Sequence, residues 1–295
     1  MGEMLEELFR KAVELSRRVS SDMDASDFRD LLSKAKELWI EYGPTPSKRR
    51  AVVMGVDSSW DIKLYEGFYV YAMSAAAVDE QQEVHHPVVE MDVMAGELGL
   101  TPENYVKILS EMAEFEIAER AAREADVVLV DGSLIAKTVN ADQLIGGKPL
   151  LLFEKYLSFV KSLRGLNNIV FISKYSHDKT LIGGKLGDIY YIARGSERAG
   201  YAVGQIWREF EMEVTTAYIR LADGVGPLKV EIPSHVGEDE MRQLMDVLSV
   251  RSVNGYPYAL YLAHRTVRIT NGLMEELCKA AGLATYLEAR EVLEL

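Results

Sequence analysis

Two acids stand where chemistry is easily built. Asp57 closes the apolar run AVVMGV over 51–56, and Asp131 closes DVVLV over 126–130. Short Val-rich apolar runs read as buried strands. Each acid is thereby placed at the carboxyl end of a strand, where open α/β sheets gather their sites. Two carboxylates brought together there repel each other unless a cation or a proton lies between them. Donors that offer only oxygen suit magnesium or manganese, so the pair points to a divalent-metal centre. The competing reading is an aspartate that caps the next turn, above all at Asp131-Gly132-Ser133.

The helix between the two strands supplies a third carboxylate. At about 100° per residue, Tyr105, Leu109 and Met112 share one side, and Glu116 returns to it four residues after Met112. A carboxylate aimed at a core is costly unless paired or metal-bound. Glu116 is therefore the expected helix ligand, and Glu114, on the wetter face, becomes the ligand if the helix is slightly rotated. Lys174 ends the apolar run in ISK, where an ammonium could stabilise a pentacovalent phosphate or its leaving oxygen. His264, in AHR, could act as a general acid or base or as a metal ligand. His85 and His86 are adjacent in a strand pattern and point to opposite faces, so they are not expected to share a metal. Arg194 and Arg198 beside Tyr190, Tyr191 and Tyr201 mix guanidinium and aromatic groups as single-strand binding surfaces do. The basic stretch SKRR over 47–50 is either a solvated charge run or a phosphate contact beside the site.

The elements that must position these groups follow from periodicity. Helices are expected over 3–19 and 26–42, closed by Gly43-Pro44-Thr45-Pro46. Strands follow over 51–57, 67–78 and 84–93, the last made irregular or edge-like by Pro87. Then come a helix over 103–125, a strand over 126–131, a helix over 150–164 and a strand over 168–174. A mixed stretch covers 176–210. Strands over 211–221 and 227–232, a helix over 238–250, a helix carrying His264 and a terminal helix from 272 complete the chain. This is an α/β layout with a mixed sheet and no dividing linker.

With 295 residues, 48% of them hydrophobic, there is ample material for a core. The formal charge of −13 argues against a broadly basic nucleic-acid surface but leaves room for a local basic channel. The single cysteine, Cys278, allows no disulfide framework within the chain and fits a reducing cytoplasm. The first residues form a charged amphipathic pattern unlike a signal peptide, and no apolar run could span a bilayer. No complete phosphate-binding loop occurs: Gly146-Gly147-Lys148 is followed by Pro149, and Gly183-Gly184-Lys185 by Leu186.

In order along the chain, GVDSSW with Asp57, the acidic helix ending near Ala125, VLVDGSL with Asp131, FISK with Lys174 and YLAHRTVRI with His264 resemble the NurA family of archaeal and bacterial nucleases. The likeness runs from about residue 50 to 270. One departure is Ser58, where members often carry Gly. The resemblance implies a ribonuclease-H-like mixed sheet flanked by helices, with a helical N-terminal extension over 1–46, a nuclease domain over 47–295 and C-terminal helices. It implies manganese-dependent DNA cleavage, with magnesium as the alternative ion, as a single-strand endonuclease and 5′-to-3′ exonuclease. Asp57, Glu116 and Asp131 would be the metal carboxylates, with Lys174 and His264 completing the site. Partners would be DNA, a second copy of the chain and a HerA-type hexameric helicase-translocase, in end resection for recombinational repair. Two other readings compete. One is an ATP-binding protein of the actin and sugar-kinase type, faintly suggested by Asp57-Ser58-Ser59 and Lys63. The other is a non-catalytic assembly module.

Overall fold

The computed structural model describes residues 2–24, 26–45, 51–65, 67–94, 100–145 and 150–283. The basic stretch 47–50 and the Gly-Gly-Lys-Pro stretch 146–149 lie outside them. In chain order the main elements are α1 (Gly2–Asp24), α2 (Ser26–Leu38), β1 (Ile40–Glu41), β2 (Val53–Tyr65), β3 (Phe68–Asp79), β4 (Val84–Met94), α3 (Pro102–Ala121), β5 (Val127–Asp131), α4 (Leu134–Ile145), α5 (Leu150–Ser162), β6 (Ile169–Ser173), α6 (Asp188–Gly195), β7 (Gly200–Glu209), β8 (Met212–Arg220), β9 (Leu228–Ile232), α7 (Glu238–Ser249), α8 (Tyr258–Val267) and α9 (Asn271–Ala280).

Among the described residues, the strands named above form one sheet in the order β1-β7-β8-β9-β6-β5-β2-β3-β4. β2, β3 and β4 make an antiparallel meander, and β5 and β6 run parallel to β2 on its other side. An antiparallel trio followed by two strands parallel to the first is the expected ribonuclease-H-like layout. β9, β8 and β7 extend the sheet antiparallel beyond β6.

Alternation within the central strands explains the two cores. Met54, Val56, Val128, Val130 and Phe171 face α3, α4 and α5, joining Ile108, Phe115, Leu134 and Tyr156. Val53, Leu129, Val170 and Ile172 face the other way, against Met241 and Met245 of α7 and Ala259 and Leu260 of α8. Strands covered on both faces read as continuous apolar runs, which is why these were visible from sequence.

Several elements differ from expectation. The helix expected over 26–42 stops at Leu38, because Ile40 and Glu41 pair with Tyr201 and Gly200 as a short edge strand. The strand expected over 51–57 runs on to Tyr65, since Ser58–Tyr65 pairs continuously with β3. The mixed stretch 176–210 contains α6 and β7, and α4 follows Asp131 directly. α2 packs on α6 through Ala35, Trp39, Tyr191 and Ile192. The apolar stripe of α1 stays exposed at Met4, Leu5, Leu8 and Phe9.

Candidate metal centre

Asp57 lies within β2 rather than at its tip, and the parallel partner is what ends there. β5 pairs with β2 from Val53↔Val127 to Val56↔Val130. The next residues are Asp57 and Asp131, so two carboxylates share the rung where the parallel ladder stops. Both face the α8 side. α8 is seated close by the absence of a side chain at Gly55, where a Cβ would lie 2.3 Å from the Ala259 carbonyl oxygen. From that contact, five residues of helix and two of strand each advance about 7 Å. That matched advance delivers His264 to Asp57, with Nδ1 2.8 Å from Oδ2. The other Asp57 oxygen accepts the Ser58 N–H at 2.8 Å. One ligand atom each from Asp57, Asp131 and His264 lie within 4.8 Å of one another.

Asp57 is 5% exposed, and its carboxyl is pushed up to about 6. Burial is the largest cause, followed by the charges of Glu114 and Asp131; the His264 and Ser58 hydrogen bonds act the other way. Excess negative charge that its surroundings do not fully neutralise is what a cation would relieve.

Glu114 enters from the opposite face. The Ser58 hydroxyl donates to its Oε1 at 2.5 Å, and the Lys137 ammonium pairs with its Oε2. Lys137 also donates to the Asp131 carbonyl oxygen at 2.7 Å. Burial alone would lower the Lys137 pKa, but Glu114, Glu111 and Asp131 outweigh it and hold the ammonium charged. Glu111, pushed up to about 6 chiefly by burial, accepts the Tyr156 hydroxyl at 2.8 Å. The structure thus places Glu114 where Glu116 was expected. Glu116 is half-exposed and ion-paired to Arg120 one turn on. The reason is that α3 is buried almost all round: Glu111 and Glu114 sit among Met112, Ala113, Phe115 and Ala118 on buried surface, so the apolar stripe does not mark the inward face.

Lys174 follows β6 with its ammonium 4.1 Å from the centre of the Tyr256 ring. The Tyr256 hydroxyl reaches Asp131 Oδ1 at 3.4 Å. Burial, then Asp131 and Asp57, raise the Tyr256 pKa and keep it a neutral donor. Tyr256, Lys137 and Ser58 were not selected from sequence. The available signals were the tight Gly255-Tyr256-Pro257 turn eight residues before His264, and a lysine six residues beyond Asp131 on a helix opened by Gly-Ser.

The remaining candidates lie elsewhere. His85 contacts Asp79 at 3.1 Å, and Asp79 also accepts the N–H groups of Gln81 and Glu83, which closes the β3–β4 turn. His86 pairs with Glu124. Arg194 stacks over Tyr190 and Arg198 pairs with Asp223. Ser58, Ser59 and Lys63 lie in unbroken β2, which leaves no turn to cradle a phosphate and removes the basis of the ATP-binding reading.

Carboxylates paired where the parallel ladder stops, a histidine and a nearby lysine on this sheet order define a divalent-metal-dependent nuclease. The NurA domain model matches residues 51–269, and the chain belongs to the NurA family. It is 24% identical to the DNA double-strand break repair nuclease NurA of Saccharolobus solfataricus, with 95% of this chain and 96% of the relative aligned. It is 23% identical to that of Sulfurisphaera tokodaii, over 91% of each. Among solved structures, the NurA nuclease from Sulfolobus solfataricus superposes with a TM-score of 0.74 at 22% identity, covering 94% of this chain and 96% of that one. A NurA structure bound to dAMP and manganese superposes with a TM-score of 0.66 at 14% identity, over 98% and 99%. These likenesses in structure establish the fold.

Proposed function

We propose that this chain hydrolyses single-stranded DNA at the Asp57–Asp131–His264 centre, as an endonuclease and 5′-to-3′ exonuclease in the repair of double-strand breaks. The observation that carries the reading is the raised, buried Asp57 on the same rung as Asp131. The donor set suits manganese: the Asp57 and Asp131 carboxylates converge, His264 lies against them, and a third carboxylate, Glu114, contributes charge from the other face. Asp57 and Asp131 would hold the ion, with Glu114 the helix carboxylate. Once bound, a divalent ion supplies Lewis-acid activation of water and of the phosphoryl oxygens.

The chain's own groups do the rest. His264 contacts Asp57 through Nδ1, so Nε2 is the ring nitrogen presented to the attacking water as proton acceptor. Its side chain is 64% exposed, so that proton has a path to solvent. The water oxygen bonds to phosphorus as the P–O3′ bond breaks, and the 3′ oxygen leaves as a hydroxyl after taking a proton. Lys174, exposed above Tyr256, meets the charge that develops on the phosphoryl oxygens. Tyr256 holds the Asp131 carboxylate, and Lys137 fixes Glu114 and the Asp131 backbone together. The exposed apolar face of α1 supports association with a second copy and with a HerA-type hexameric translocase, which would feed a single strand past an otherwise acidic exterior.

The deciding experiment is cleavage of end-labelled single-stranded oligonucleotides with manganese, with chelator, and by Asp57→Ala. Cleavage that requires manganese and is lost in the folded variant supports the reading. Cleavage that survives either treatment refutes it.

A further inference from the structure

The outer face of α8 carries more than the chemistry at His264 uses. At about 100° per residue, Tyr258, Tyr261, His264 and Arg265 share that face. The opposite side, with Ala259, Leu260 and Ala263, is buried against the sheet. Core packing therefore accounts for the apolar half of the helix. It leaves a row of aromatic and cationic side chains on the half that faces solvent, on the same side of the sheet as Asp57 and Asp131.

The row is internally supported. Tyr258 is half-buried on the cluster formed by Ala76, Val78 and Leu262. It stacks with Tyr261, the ring centroids 6.2 Å apart and the planes at 24°. Tyr261 is 44% exposed. Arg265 lies with its guanidinium carbon 5.7 Å from the centre of the Tyr261 ring and donates to the Tyr261 hydroxyl at 3.4 Å. Arg265 and Arg268 are both exposed, and neither pairs with a carboxylate among the described residues. Arg120, Arg123 and Arg242, on other helices, each pair with an acid one turn away. The sequence supplies the reason: of the 46 acids in the chain, none lies between Asp246 and Glu275. In an acidic protein such a stretch makes a local cationic surface. Basic residues in a last helical turn ordinarily meet the helix dipole. That role explains neither the stacked tyrosines nor Arg268, which follows the last helical residue.

The row brackets the centre. His264, within it, contacts Asp57 at 2.8 Å. Along the helix axis Tyr261 stands about 4.5 Å before His264, and Arg268 about 6 Å beyond it. Exposed aromatic rings interleaved with unpaired guanidinium groups are what a single nucleic-acid strand recognises, through base stacking and phosphate contacts.

We propose that the outer face of α8 is a track for single-stranded DNA, in which an unpaired base stacks on Tyr261 while Arg265 and Arg268 hold backbone phosphates next to the one that is cut. The inference rests on the nuclease reading and deepens it. In a duplex each base is covered on both faces by its neighbours, so only an unpaired strand can offer a base to Tyr261. Preference for single strands is thereby built into the helix that delivers His264.

The test is binding of a labelled oligothymidylate to full-length Asp57→Asn protein, read by fluorescence anisotropy in manganese over a range of salt concentrations. Further substitutions are added to that parent. Tyr261, Arg265 and Arg268 are exposed, so these variants keep the fold, which circular dichroism verifies. Tyr261→Ala should weaken binding at least about fivefold and leave the salt slope unchanged. Tyr261→Phe should stay within about twofold of the parent, because the ring and not the hydroxyl supplies the stacking. Joint Arg265→Ala and Arg268→Ala should reduce the slope of log affinity against log salt by about 1.4, at about 0.7 for each phosphate contact on a single strand, which is about tenfold in affinity at about 0.15 M salt. Lys155→Ala, an exposed position on α5 across the sheet, should change neither quantity. A slope unchanged by loss of both arginines, or equal losses in Tyr261→Ala and Tyr261→Phe, overturns the track; wild type that still cleaves the oligonucleotide with manganese then leaves the nuclease reading standing. Wild type that neither binds nor cleaves single strands overturns both.

Discussion

Replacing Asp57 by Asn is expected to give a more stable protein that cannot cut DNA. Asp57 titrates near 6 in the folded chain against 3.8 as the ordinary value. A carboxyl raised on folding favours the folded state while it is protonated. That stability is fully present below about pH 3.8 and is lost as pH rises through 6. The displacement corresponds to about 3 kcal/mol, of which about 2 kcal/mol falls between pH 4.5 and pH 8. Asn keeps the size and an acceptor oxygen for the Ser58 N–H and carries no charge at any pH. In chelator, the urea-unfolding free energy of Asp57→Asn minus that of wild type should therefore rise by about 2 kcal/mol between those two pH values. Glu111, also raised to about 6, titrates in both proteins and cancels in the difference. Manganese at 100 times its dissociation constant should restore about 2.7 kcal/mol to wild type at pH 8 and much less to the variant. A difference that stays flat from pH 4.5 to pH 8 would refute the claim that Asp57 is held under electrostatic stress. A variant stabilised by manganese as strongly as wild type would show that the ion binds elsewhere.

Two further outcomes follow from the packing. Glu114→Gln should reduce manganese-dependent cleavage by at least about tenfold, the cost of losing one outer or direct metal partner. Glu116→Gln, which breaks only an ion pair on half-exposed side chains, should leave cleavage within about twofold and stability within about 0.5 kcal/mol; oligonucleotide cleavage and urea unfolding read both, and equal losses in the two variants would mean that α3 is rotated. Gly55→Ala should be severe, because the new methyl would lie 2.3 Å from the Ala259 carbonyl oxygen. Overpacking of this kind costs about 1–3 kcal/mol. Displacement of α8 should also change the environment of His264, read as a shifted imidazole resonance by NMR.

The parts of the fold that were legible from sequence are those where local chemistry and tertiary environment agree. β5 and β6 are buried on both faces and read as apolar runs, and Asp131 ends its strand as expected. β2 was read short because its apolar run stops at Val56 and the polar residues Asp57, Ser58 and Ser59 follow. They are strand residues because β3 supplies a pairing partner along the whole length, which no local pattern encodes. The helix acid was misplaced for a related reason. Inward on α3 was equated with apolar, yet the inward surface near the strand ends is itself polar, furnished by Lys137, Ser58 and Tyr156. A buried carboxylate is stable where such partners exist, and those partners come from β2, α4 and α5, whose approach is a property of the assembled sheet. Single acids at strand ends can thus be found by reading along the chain. The charges that hold them in place are chosen across it, so the least legible residues of this centre are the ones that compensate the most legible.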